Sequence, residues 1–192
     1  MKEVFFMRHG LTKENELALL IGSNIDASLS EKGREELKII KEYIIKPDII
    51  LCSDLKRAFE TAEILFPNQN VIYLPQLREK CWGVLEGQPI EDARKSGLMR
   101  IEDENILKQN GIETPSSILV RANQVIQQIN QISSQKIVVV SHGGFINYLM
   151  RILLPENIKR EVLSNAHYHK IVFDQNERVI GARMNQSWLE NC

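Results

Sequence analysis

The amino-acid sequence predicts an α/β protein, a three-layer α/β/α sandwich around a mainly parallel sheet. Three observations carry this expectation. Compact apolar runs, of the kind that form strands covered on both faces, occur at 3–7, 48–52 and 136–140. Stretches with apolar residues at helical spacing lie between and after them. Strand-type and helix-type segments therefore alternate, as the crossovers of a parallel sheet require.

Taken in order, Glu3 to Met7 reads as a buried strand that stops at Arg8-His9-Gly10. Ser30 is placed to cap a helix running to Ile44, with Leu37, Ile40 and Ile44 on one face. Asp48 to Cys52 is a second buried strand, and Leu55 to Phe66 a helix with Leu55, Phe59, Ala62 and Phe66 at helical spacing. Residues 67–111 are poorer in long apolar patterns and read as an insertion in a single domain spanning 1–192, lid-like at about 75–112. Pro115 to Ile132 is again helical, and Lys136 to Val140 is the clearest strand, ending at Ser141-His142-Gly143-Gly144. A helix from Phe145 to Leu154 follows. Tyr168 to Asp174 and Arg178 to Met184 are spaced to form a hairpin across Gln175 to Glu177.

Composition narrows the function. With 192 residues, 26% charged and 43% hydrophobic, the chain has globular proportions. A net charge of -1 without a long Lys/Arg run leaves no footprint for nucleic acid or an anionic membrane as partner. Cys52, Cys81 and Cys192 are odd in number and widely spaced, suggesting neither a disulfide framework nor a zinc cage. The first residues carry an apolar run too short for a signal peptide core or membrane span, so a cytoplasmic location is expected. Nothing points to a particular oligomeric state.

Open α/β sheets bind ligands beyond the carboxyl ends of their strands. Three segments arrive there with polar groups: Arg8, His9 and Gly10 from the first strand, Ser53 and Arg57 after the second, and Ser141 to Gly144 after the third. Glycine behind each histidine lets backbone approach an anion closely. Arginine suits phosphate because its planar fork makes paired, charge-assisted hydrogen bonds. A cationic phosphate pocket in a near-neutral protein is the expectation.

The chain resembles the histidine phosphatase superfamily, which includes cofactor-dependent phosphoglycerate mutases and many small phosphatases. The resemblance begins at Arg8-His9-Gly10, Thr12 and Asn15, and continues through Asp26, Leu29, Ser30 and Gly33. It takes in Ser53, Arg57, Thr61 and Ala62, then Leu77, Glu79, Gly83, Glu86 and Gly87. Glu113-Thr114 and Arg121 are weaker echoes, and Ser141-His142-Gly143 closes the pattern. It implies a phosphoglycerate mutase-like fold and a catalytic set of His9, Glu79, Arg8, Arg57 and His142. His9 would be the nucleophile that becomes a phosphohistidine, helped by Arg8, Arg57 and a charged His142. Glu79 would protonate the leaving group and then activate water. Arg8, Asn15, Gly22, Arg57, His142 and Gly143 would bind the substrate's phosphoryl group. No step needs a metal or cofactor, and the partner is a small phosphate ester.

Other readings compete. A lone histidine after a strand is most often structural, and Arg57 alone could be a helix residue paired with Glu60 or Asp54. Glu86 stands close enough to rival Glu79. His167 and His169 share one face of a strand, as metal ligands can, but no third ligand sits at a telling distance. Four residues separate Cys52 from Arg57 where the cysteine-nucleophile phosphatase loop has five. Members acting as mutases often carry an adjacent arginine pair over the pocket; here Arg94, Lys95 and Arg100 lie among acids, which favours metal-independent hydrolysis of small phosphate monoesters. Transfer between hydroxyls, or a regulatory protein that binds phosphate ligands without turnover, are the alternatives. Phosphoglycerates, phosphoserine, sugar phosphates, nucleotide fragments and cobalamin-precursor phosphates all remain open as substrates.

Overall fold

A computed structural model describes residues 1–156 and 163–191. Its strands are β1 (Lys2–Arg8), β2 (Ile49–Cys52), β3 (Val71–Tyr73), β4 (Lys136–Ser141), β5 (Tyr168–Phe173) and β6 (Val179–Gln186), forming one sheet in the order β3-β2-β4-β1-β5-β6. The first four neighbours are parallel, whereas β5 runs against β1 and β6 against β5. The helices are α1 (Lys13–Glu16), α2 (Glu31–Ile40), α3 (Lys56–Leu65), α4 (Ile90–Lys95), α5 (Glu104–Gln109), α6 (Pro115–Gln131) and α7 (Gly143–Leu153).

Side chains alternate across the sheet and build two cores. Val4, Phe6, Leu51, Ile137, Val139 and Ile171 pack beneath α6 and α7 through Ile118, Val125, Phe145 and Leu149. On the other face Phe5, Met7, Ile50, Val138 and Val140 meet Leu37 of α2 and Ala58, Ala62 and Leu65 of α3. Because the central strands are covered on both sides, they read as unbroken apolar runs. The result is the three-layer sandwich.

Local chemistry explains several boundaries. The Ser30 hydroxyl accepts the Gly33 N–H at 3.1 Å and starts α2, which stops at Ile40 although Ile44 still packs against the second core. At Gly33 a Cβ would collide with the Leu11 carbonyl oxygen, so glycine lets α2 lie directly on the loop after β1. Thr114 and Pro115 cap and open α6, the hydroxyl accepting the Ser117 N–H at 3.3 Å.

One expectation needs correction, and two features carried no signal in the sequence. Phe59 is 41% exposed and leans on Tyr73 of the edge strand, ring centres 5.4 Å apart, so the buried stripe of α3 runs through Ala58, Ala62 and Leu65. The edge strand β3 itself is three residues long and half exposed, too short to carry a periodic signal. Within residues 75–112, Leu85, Ala93, Leu107 and Ile112 join Leu20 in a third apolar cluster separate from the sheet. Scattered apolar residues thus fold against one another without any long run.

Candidate active site

Strand register brings the distant motifs together. Arg8 pairs with Ser141 and Cys52 with Val140, so the residues that follow β1, β2 and β4 emerge side by side. His9 N–H donates to Ser141 O at 3.0 Å, and Ser53 N–H to Val140 O at 2.9 Å. The imidazoles of His9 and His142 end with their centres 5.1 Å apart.

His9 is 2% exposed and its Nδ1 lies 2.7 Å from Gly10 O, a bond that requires Nδ1 to carry the proton and leaves a lone pair on Nε2. Burial, then Arg57 and Arg8, hold its pKa well below the usual histidine value. The ring is a neutral base facing a cavity of about 520 Å³. Its loop is gripped from beyond α7: Asn165 Nδ2 donates to His9 O at 3.1 Å and Gly10 O at 3.3 Å, and the Ala166 N–H reaches His9 O at 3.1 Å.

His142 differs from the expected charged group. It has no exposed surface, and burial together with Arg57, His9 and Arg8 pushes its pKa far down, so the imidazole is neutral. Arg57 Nε donates to its Nδ1 at 3.2 Å, which leaves Nε2–H for Ser53 Oγ at 2.8 Å. Arg57 is fully buried too; Nη1 donates to Ile25 O at 3.0 Å and Nη2 to Gly22 O at 2.9 Å. Arg57 and His142 therefore form a floor beneath the cavity, and Gly22 contributes the carbonyl that steadies Arg57.

Arg8 lines the cavity with one unusual feature. Its Nη1 donates to Leu163 O at 3.0 Å, while Nε is buried without a partner. An unmet buried donor is costly, on the order of 1–3 kcal/mol, so its position beside His9 and Gly143 marks where an anion's oxygen belongs. Asn15 lines the same wall. Its Oδ1 accepts from Thr12 N–H at 3.4 Å and Asn165 Nδ2 at 3.1 Å, which turns its own NH₂ toward the cavity.

Glu79 sits at the N-terminus of α7. Its Oε1 accepts from Lys80 N–H at 2.8 Å and Phe145 N–H at 2.9 Å, and Oε2 from Gly144 N–H at 2.9 Å. Gly144 is needed for this approach, since a Cβ there would lie 2.6 Å from Oε1. Arg121 braces the segment, pairing both oxygens of Glu113 at 2.7 and 2.8 Å and donating to Gln76 O and Arg78 O. Glu86, the sequence rival, is occupied elsewhere: it accepts the N–H groups of Asn24, Ile25 and Trp82 and does not line the cavity.

Sequence reading overlooked Asn165, a lone asparagine before a left-handed Ala166 at φ 58°. It also missed Asn147 and Arg151, which line the outer cavity with His169. Only periodicity on α7 could have suggested those two. Among the described residues no cluster of His, Cys, Asp and Glu could hold a metal ion, and His167 and His169 do not form one. Nor is any described helix long and apolar enough to cross a membrane.

Such a pair of strand-end histidines with two arginines defines an enzyme of phosphoryl chemistry, and the chain belongs to the histidine phosphatase superfamily (branch 1), whose sequence profile matches residues 4–186. Among curated relatives it is 31% identical to a probable phosphatase of Schizosaccharomyces pombe over 77% of this chain and 71% of that one. It is 30% identical to phosphoglycerate mutase-like protein 4 of Arabidopsis thaliana over 85% and 76%. The solved alpha-ribazole phosphatase of Shigella flexneri superposes with a TM-score of 0.78 at 22% identity, covering 96% of both chains, which shows the shared fold. Phosphoryl hydrolysis or transfer of the histidine phosphatase type is the activity these relationships support.

Proposed function

We propose that the protein hydrolyses small phosphate monoesters through a phosphohistidine on His9, with no metal ion taking part. The observation that carries this reading is a neutral His9, its Nε2 lone pair free, beside the unpartnered Nε of Arg8. In the first step Nε2 attacks phosphorus, the P–N bond forms and the ester P–O bond breaks. The departing oxygen takes a proton from Glu79. In the second step water attacks phosphorus, passes a proton to Glu79, and the P–N bond breaks to release inorganic phosphate.

Arg8, the two N–H groups of Arg57 not already bonded and the Asn15 amide stabilise the charge on the phosphoryl oxygens. Arg57 must move its free donors toward the cavity for this. Glu79 must likewise exchange one backbone partner to carry a proton, with Oε2 the less occupied oxygen.

Hydrolysis is favoured over transfer between hydroxyls by the cavity wall. Arg94, Lys95 and Arg100 do not line it; Lys95 lies 3.9 Å from Glu91 and 3.8 Å from Asp92 instead. The insertion contributes Glu79, Trp82 and Ile90. A mutase must hold a second anionic substrate in place of water, and no basic residue of the insertion lines the cavity; Lys80 lies over the Trp82 ring instead, 4.1 Å from its centre. Free thiols at Cys52 and Cys81 fit a cytoplasmic site of action.

The test is release of p-nitrophenol from p-nitrophenyl phosphate in excess chelator. The parent should turn over undiminished, His9→Ala should lose about 10⁴-fold or more, and denatured, quenched enzyme should carry an acid-labile phosphohistidine. Retained turnover in the variant would remove His9 from the reaction.

A further inference from the structure

We infer that the cavity contains, outward from the phosphate position, a second subsite formed by Asn147, Arg151 and His169 that binds a carboxylate on the leaving part of the substrate. This rests on the phosphatase reading and narrows it to phosphate monoesters that are also short organic acids.

Gly143, Asn147 and Arg151 all line the cavity, and their spacing of four places them in one row along α7. The row starts at the phosphate end. Arg151 Cα lies about 12 Å further along the axis than that of Gly143, and its side chain leans back toward the helix N-terminus. A small acid esterified to phosphate spans that gap. From the sheet side, His169 pairs with Phe6, so its ring points to the face that α7 covers.

All three side chains have free donors. His169 is 1% exposed, and its Nδ1 accepts the Asn185 N–H at 2.8 Å. Burial lowers its pKa to about 4, so the neutral ring carries its proton on Nε2, which has no partner among the described residues. A ring N–H on the lining of a cavity, with no protein partner, is a donor available to an acceptor placed there. Arg151 is exposed at the mouth, with Tyr148 5.4 Å away and no carboxylate in ion-pair range among the described residues. A solvated surface arginine would account for Arg151 alone, but not for His169.

The chemistry of the occupant follows. Glu79 is the acidic side chain of this cavity, and backbone N–H groups already engage both its oxygens. The outer end thus offers one positive charge with neutral imidazole and amide donors. That balance matches a singly charged carboxylate better than a doubly charged phosphate. Leu19, Ile21 and Ile90 elsewhere on the lining leave apolar surface for a carbon skeleton.

The experiment compares kcat/KM within matched pairs: O-phosphoserine against phosphoethanolamine, and 3-phosphoglycerate against glycerol 3-phosphate. The parent should prefer the carboxylated member by about tenfold, mostly through KM, the size expected for one charge-assisted contact. In Arg151→Gln, an exposed site that leaves the core intact, and in His169→Phe, the ratio within each pair should fall toward one. Using a ratio cancels any general loss of activity. A parent ratio near one, or a ratio unchanged in Arg151→Gln, would overturn the subsite. A larger gain for fructose 1,6-bisphosphate over fructose 6-phosphate than for either pair would reassign it to phosphate. Should no ester be hydrolysed, the phosphatase reading fails by itself; calorimetric binding of 3-phosphoglycerate and glycerol 3-phosphate to parent and Arg151→Gln then decides the subsite by the same ratios.

Discussion

The floor of the cavity and its outer wall are built on opposite principles. Below, Arg57, His142, Ser53 and His9 are buried, and each is hydrogen-bonded to a specific partner near the strand ends. Above, Leu19, Trp82, Ile90, Asn147 and Arg151 come from loops and helix surfaces. Buried polar groups left unpaired are expensive, so each floor residue is constrained by all the others. The wall residues Leu19, Trp82 and Ile90 are half-buried and Asn147 and Arg151 exposed, so a change there strands no buried hydrogen-bonding group. Chemistry is thereby held constant while substrate choice is free to vary, which is how one fold hosts many activities.

The sharpest way to break this contrast is Arg57→Ala. Removing the guanidinium strands Gly22 O, Ile25 O and His142 Nδ1 without donors. Stability should fall by about 3 kcal/mol and kcat/KM by roughly 10³-fold, read by urea unfolding and phosphate release. A variant as stable as the parent would show that the floor is not interlocked.

Glu79→Gln tests the residue at the boundary. Turnover of alkyl phosphates should drop roughly 10²–10³-fold, whereas p-nitrophenyl phosphate, whose leaving group departs without a proton, should lose far less in its first step. Equal losses on both substrates would mean that Glu79 holds α7 in place and transfers no proton.

Acid should weaken the cavity's buried histidines, His9 and His142 in the floor and His169 at the outer end, before the rest of the molecule. The folded pKa values of His9, His142 and His169 all lie below the unfolded value near 6.5, so the unfolded chain binds more protons between those limits. Their contribution is complete above about pH 6.5 and is lost as pH falls toward the folded values. Each should add about 1.4 kcal/mol per pH unit to the slope within its window. Urea midpoints across pH 7 to 5 check this, and a flat profile would mean that these rings are not neutral in the folded protein.

The smallest effect belongs to the wall. Trp82→Ala should raise KM for aryl phosphates a few-fold, about 1 kcal/mol of lost contact, with kcat little changed. A large fall in kcat would show that the insertion also positions the chemistry.

The two regions were unequally legible in the sequence as well. Arg8-His9-Gly10 and Ser141-His142-Gly143 stand at the ends of apolar runs whose strand character is local, and Arg57 opens the helix after another, so their meeting at one sheet edge could be argued from topology. Asn165 and the row Asn147–Arg151 carry no such mark. Isolated polar residues on a turn and a helix face gain meaning from what the fold sets opposite them.

By itself the sequence determined the alternation of strands and helices and the cap at Ser30, because each depends on neighbours within a few positions. Tertiary structure alone decided that His142 is neutral, that Glu79 sits on the backbone of α7, that Glu86 is a loop brace and that His169 faces the cavity. Desolvation and long-range pairing set protonation and partners, and both arise only when segments far apart in the chain are packed together.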